Sequence, residues 1–199
     1  MANFRKFNKA ELLEGDRVRT PWFRVAYPEV FEPQQYKGKG EYKYSVTMLF
    51  DEEQVDLGAM RDLATAKIRE KFGSSVPKKM WNPFRSGTEE KDNEDFEGMT
   101  FIRASSKFSP GKIDQNCSEI TDPDMIYSGC YMRATLSCYA FNQESKGVAF
   151  GLQNLQLLAN GQALASGATS AAKDFGAVSG DEPDENNGGG QPDDDDSIF

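Results

Sequence analysis

The sequence predicts a mainly β protein: a five-stranded Greek-key barrel with one helix inserted between its early and late strands, followed by a disordered acidic C-terminal tail. Three observations carry this. Several stretches rich in Val and aromatic residues alternate apolar and polar side chains, the period of a half-buried strand. One stretch, 51–72, repeats apolar residues at helical spacing instead. From about Gly161 onward Ala, Ser, Gly and Thr dominate, then Asp, Glu and Gly, which bury too little to offset chain entropy. The ordered domain is therefore expected over 1–160, and the linker and tail over 161–199.

Taken in chain order, "RVRTPWFRVAYPEVF" (17–31) reads as an edge or bent strand, because Pro21 and Pro28 interrupt it. In "EYKYSVTMLF" (41–50), Tyr42, Tyr44, Val46, Met48 and Phe50 fall on one face and Lys43, Ser45 and Thr47 on the other. The helix over 51–72 has Asp51 as its expected N-cap and acids in its first turn. Met60, Ala64, Ile68 and Phe72 form its apolar stripe, and Gly73 stops it. "MTFIRASSKF" (99–108), "YSGCYMRATLSCYAFN" (127–142) and "GVAFGLQNLQLL" (147–158) are the remaining strands, the last two joined by a hairpin-like loop. This order suits an oligonucleotide-binding (OB) barrel.

Charge separates along the chain. Residues 181–199 carry eight of the 32 acids and none of the 23 bases. Asp174 is a ninth, so residues 1–173 carry 23 of each sign and are neutral. The net charge of −9 thus belongs to the tail, and a neutral body can still present a basic face. No histidine is present, which removes the usual general base and metal ligand. Cys117, Cys130 and Cys138 are widely spaced and read as reduced core residues. No phosphate-loop, dinucleotide, nucleophile-elbow or zincin motif occurs, so nucleotide hydrolysis and the common hydrolase mechanisms lack support and no cofactor is expected. The mixed, charged N-terminus and the lack of a long apolar run predict a soluble, cytoplasmic protein with no membrane partner.

The strand over 130–141 carries the most chemistry. Cys130, Met132, Ala134, Leu136, Cys138 and Ala140 make an apolar face. The opposite face reads Tyr131, Arg133, Thr135, Ser137, Tyr139 and Phe141, rings on which bases can stack and a guanidinium for a phosphate. Alternatively, the helix or residues 73–97 cover this face and the rings form a second-layer core. Other bases lie beside rings: Lys37, Lys39 and Lys43 among Tyr36, Tyr42 and Tyr44; Lys78, Lys79 and Arg85 with Trp81 and Phe84; Arg103 and Lys107 with Phe108. Together they fit a sequence-tolerant groove for a single strand. The acids of 88–98 (Glu89, Glu90, Asp92, Glu94, Asp95, Glu97) raise a second reading, a Mg²⁺-dependent nuclease, although one continuous polar loop favours a solvated segment.

On the residues "YKYSVTMLF", the helix after it, "IYSGCYMRATLSCYAFN" and "KGVAFGLQNLQLL", the chain resembles the OB-fold single-stranded-DNA-binding proteins of tailed bacteriophages, over about 16–158. The resemblance implies coating of single strands during phage replication, recombination and repair, and no catalysis. The end of the chain adds a second likeness, to the acidic run and final Phe of bacterial and phage single-strand-binding proteins. Here Asp193, Asp194, Asp195 and Asp196 precede Ser197, Ile198 and Phe199. Such a tail can compete with phosphates for a basic groove. It can also dock replication or recombination proteins of phage or host, with the Phe ring in an apolar pocket and the terminal carboxylate on a base. The usual proline is absent; where a partner reads it, the departure points to a phage-encoded partner.

Overall fold

A computed structural model describes residues 4–36, 38–77, 79–89, 94–143 and 145–164. Among them run β1 (Glu11–Leu13), β2 (Arg17–Arg19), β3 (Phe23–Tyr36), β4 (Lys39–Phe50), α1 (Gly58–Phe72), β5 (Arg85–Ser86), β6 (Thr100–Ser106), β7 (Gly111–Ile113), β8 (Tyr131–Asn142) and β9 (Lys146–Ala159). Five of these close on themselves. β3 pairs β4, β4 pairs β6, β6 pairs β9 in parallel, β9 pairs β8, and β8 returns to β3. This ring is the expected barrel, and α1 sits in sequence between its second and third strands. The other four strands extend it: β1 and β2 form a hairpin on β8, β5 lies on β6, and β7 on β9.

Alternation decides what the barrel encloses. In β8, Met132, Ala134, Leu136 and Cys138 are buried, as the period-2 pattern predicts. In β9 the buried positions run Val148, Phe150, Leu152, then Leu155 and Leu157. That one-residue slip of phase coincides with the register shift between Thr135 and Leu136 on the partner strand, a bulge that keeps apolar residues inward on both sides of it. β3 bends at Tyr27, whose φ is +47°, and its pairing with β4 shifts between Ala26 and Glu29. The expected single strand over 17–31 is thereby corrected to two. Thr20 separates them, exchanging hydrogen bonds with Ala134 through both its amide (2.9 Å) and its hydroxyl (2.9 Å).

The helix also departs from expectation at its start. It begins at Gly58, not Asp51. Asp51 instead closes a turn, its Oδ1 accepting from the Glu53 amide (3.0 Å) and its carbonyl from the Gln54 and Val55 amides (2.9 and 3.0 Å). Residues 55–57 then stay outside the helix, because Asp56 pairs with the N-terminal segment at Asn8 and Ala10 and both Val55 and Leu57 are buried. Three residues of the expected stripe face the core, Met60 and Ala64 buried in it and Ile68 partly buried against it, while Phe72 at the last turn is only half-buried. Gly73 (φ +59°) ends the helix and donates its amide to Arg69 O at 2.8 Å. Among the described residues no helix is long and apolar enough to cross a membrane.

Candidate nucleic-acid interface

The same alternation that sends Val46, Met48, Ile102 and Ala104 inward sends Lys43, Ser45 and Thr47 of β4 and Phe101, Arg103 and Ser105 of β6 outward. These outward positions floor a cleft of about 580 Å³, walled by Lys39, Gly40 and Glu41 on one side and Trp81, Pro83 and Arg85 on another. Five expected contact residues, Lys39, Lys43, Trp81, Arg85 and Arg103, therefore converge from three separate stretches of sequence.

A ladder of rings crosses the cleft. Tyr27 stacks on Phe96 (6.0 Å, 29°), Phe96 meets Phe101 edge-on (5.4 Å), and the Arg85 guanidinium lies 4.9 Å from the Phe101 ring and 5.8 Å from that of Trp81. Trp81 is fixed by its backbone, its amide donating to Lys146 O (2.8 Å), while its side chain stays 52% exposed. Gly147 makes this possible: a Cβ there would lie 2.6 Å from Trp81 Cβ. Tyr27 and Tyr139 are also half exposed, and Phe108 is fully presented to solvent. Trp81 and Tyr27 thus present half-open rings, supported by the buried Phe96 and Phe101 and flanked by cations, an arrangement on which bases can stack.

Two of the cleft cations, Arg103 and Lys43, are held by carboxylates of the body. Arg103 Nη2 donates to Ser45 Oγ (3.0 Å) and lies 3.4 Å from Glu29 Oε2, which also accepts from the buried Ser45 hydroxyl (2.6 Å). Glu41 takes Lys107 at 2.6 Å and Lys43 at 3.6 Å, and the Lys107 hydrogen bond foremost holds its carboxyl below the usual carboxylate range.

Some expected contacts lie elsewhere. Phe84 turns inward, edge-on to Phe150 (5.8 Å), with Arg61 over it. Tyr131 packs between Phe4 and Trp22 (5.5 and 5.8 Å). Arg133 lies 4.3 Å over Phe7 and donates through Nε to Gln156 Oε1 (2.8 Å). One end of the outer β8 face is thus covered, by the N-terminal segment and not by the helix or 73–97, while Tyr139 stays open and Phe141 is half buried beside Gly147 and Trp81. Lys79 is exposed but outside the cleft, and Lys107 reaches its rim through Glu41. Lys37, Lys78 and the tail residues Asp193, Asp194, Asp195, Asp196, Ile198 and Phe199 lie outside the described residues. Tyr27, Phe96 and Phe101 are site residues that sequence patterning missed; a Tyr immediately before Pro28 in a strand was the one local signal. Of the acids at 89–97, Asp95 lies 3.9 Å from Arg24, and among the described residues no group of three His, Cys, Asp or Glu could hold a metal ion.

Residues 16–187 match the family model described as the ssDNA-binding protein of Enterobacter phage Enc34. The chain belongs to this phage Enc34 ssDNA-binding protein family. A relative of this family member, "Putative protein p50" of Acyrthosiphon pisum secondary endosymbiont phage 1, is 32% identical over 172 residues, covering 81% of this chain and 94% of its own. Among solved structures, the single-stranded DNA-binding protein of bacteriophage Enc34 in complex with ssDNA superposes with a TM-score of 0.65 at 18% identity, covering 75% of this chain and 90% of that one. The single-stranded DNA-binding protein encoded by bacteriophage T7 does so at 0.56 and 13% identity, covering 79% and 99%. Both likenesses are of fold: this Enc34-family chain has the OB barrel of the phage proteins.

Proposed function

We infer that this protein binds single-stranded DNA without sequence specificity and without catalysis, coating it in the cytoplasm of the infected bacterium during phage replication, recombination and repair. The carrying observation is the cleft on the outer barrel face, where Trp81, Arg85, Phe101, Phe96 and Tyr27 form a continuous ladder flanked by Lys39, Lys43 and Arg103. Every base has a π face, and every nucleotide a phosphate, so a site of this make-up grips any sequence. Membership of the Enc34 family supports the reading. The acidic tail is its regulator: Asp193 to Asp196 compete for the cleft, and Ile198 with Phe199 dock a replication or recombination protein.

Titration of a labelled oligo-dT by fluorescence anisotropy tests this at two salt concentrations, with the full chain and with 181–199 deleted. Four cleft cations taking phosphates give a log–log salt slope of about −3. Deleting the tail tightens binding, most at low salt. No binding by either form at low salt sinks the function, and equal or weaker binding after truncation sinks the competition. DNA left intact with Mg²⁺ or Mn²⁺ separates the protein from a nuclease built on the 89–97 acids.

A further inference from the structure

We propose that Lys43 and Lys107 form a phosphodiester-binding site that Glu41 occupies in the DNA-free protein, so that a carboxylate of the folded body competes with DNA at this end of the cleft. The inference rests on the single-strand-binding reading above and names the occupant of one subsite within it.

The geometry points there first. Tyr44 pairs with Ser106, the last residue of β6, and Lys43 and Lys107 are the next residues on the two chains beyond that pair. Two ammonium groups brought together there repel unless an anion lies between them. Glu41 is that anion, with Oε1 on Lys107 (2.6 Å) and Oε2 on Lys43 (3.6 Å). A phosphodiester carries the same single negative charge on two non-bridging oxygens, so it can replace the carboxylate oxygen for oxygen.

Comparison with Glu29 shows why Glu41 is the group that leaves. Glu29 is tied to the buried Ser45 hydroxyl at 2.6 Å as well as to Arg103, and the buried partner keeps it in place. Glu41 pairs with the two lysines, all three side chains are well exposed, and it follows Gly40 (φ +85°) at the free end of the β3–β4 hairpin. Exposed pairs of this kind are weak enough for an incoming polyanion to displace.

The test is a charge-neutral replacement. In Glu41→Gln, affinity for oligo-dT at low salt rises about two- to fivefold, the worth of an exposed ion pair. The gain shrinks as salt rises, because salt screens the hold of the carboxylate on the two lysines. In a Lys43→Gln/Lys107→Gln background, itself weaker in binding, the same Glu41→Gln change has no further effect. Asp62→Asn on α1 makes the same change in net charge away from the cleft and supports the assignment by leaving affinity unchanged. An unchanged Glu41→Gln affinity overturns the proposal. So does a gain that persists without the two lysines or is matched by Asp62→Asn, since either marks an effect of net charge alone. Failure of the unmodified chain to bind oligo-dT is a different result and overturns the function itself.

Discussion

Replacing Trp81 with alanine separates the stacking role of this ring from its structural one. The indole is 52% exposed, so roughly half of its surface, on the order of 100 Å², is already buried against the protein. At about 25 cal/mol per Å² its loss costs up to roughly 2.5 kcal/mol of folding stability, readable as a lowered urea midpoint. The exposed half is what a base would cover. Base–aromatic stacking is worth about 1–3 kcal/mol, so Trp81→Ala weakens oligo-dT binding by about 5- to 150-fold. Trp81→Phe keeps a ring in place and retains most of the affinity. Fluorescence supplies a second readout, because the chain has two tryptophans and Trp22 is packed against Phe4 and Tyr131 (5.8 Å each). Quenching by oligo-dT persists in Trp22→Phe and disappears in Trp81→Phe. A folded Trp81→Ala protein with unchanged affinity, or quenching that survives Trp81→Phe, refutes the reasoning.

Three further outcomes follow from the same contacts. Arg133→Ala removes the guanidinium from Phe7 and the bond to Gln156, lowering stability by about 1–2 kcal/mol in urea melts while oligo-dT affinity stays within about twofold. Gly147→Ala drives a Cβ to 2.6 Å from Trp81 Cβ and 2.7 Å from Trp81 O, and the forced shift costs about 1–3 kcal/mol and weakens DNA binding with it. Burial pushes the Cys130 and Cys138 thiols up to about 11, so at pH 8 a thiol reagent labels exposed Cys117 alone, and all three cysteines only in denaturant. The unfolded thiols ionise first, near 9, so these two groups also make stability fall as pH rises from about 9 towards 11. A second thiol reacting at a comparable rate in the native protein contradicts the burial.

Much of the barrel was legible locally. A period of two is a property of one strand, so the buried face of β8 and the outward set Lys43, Ser45 and Thr47 could be read without a partner. The stripe of Met60 and Ala64 and the stop at Gly73 were equally local, since helix spacing and the left-handed cap involve only neighbours. Asp51 was misassigned because its capping chemistry serves a turn as well as a helix, and the choice was made by distant Asn8 and Ala10 pairing with Asp56. Tyr131 and Arg133 had the composition of a binding face, yet residues 4–22 supply the rings that cover them.

The site divides in the same way. Composition and charge segregation identified a neutral body with basic and aromatic segments under an acidic tail, because both are sums over residues and need no geometry. Only the closed barrel brought Tyr27, Trp81, Phe96, Phe101 and Arg103 together, from positions far apart in the chain. It also set Glu41 and Glu29 on the very cations that a strand of DNA would seek. Contacts of that kind depend on which strands become neighbours, and long-range pairing leaves no periodic trace in the residues that make it.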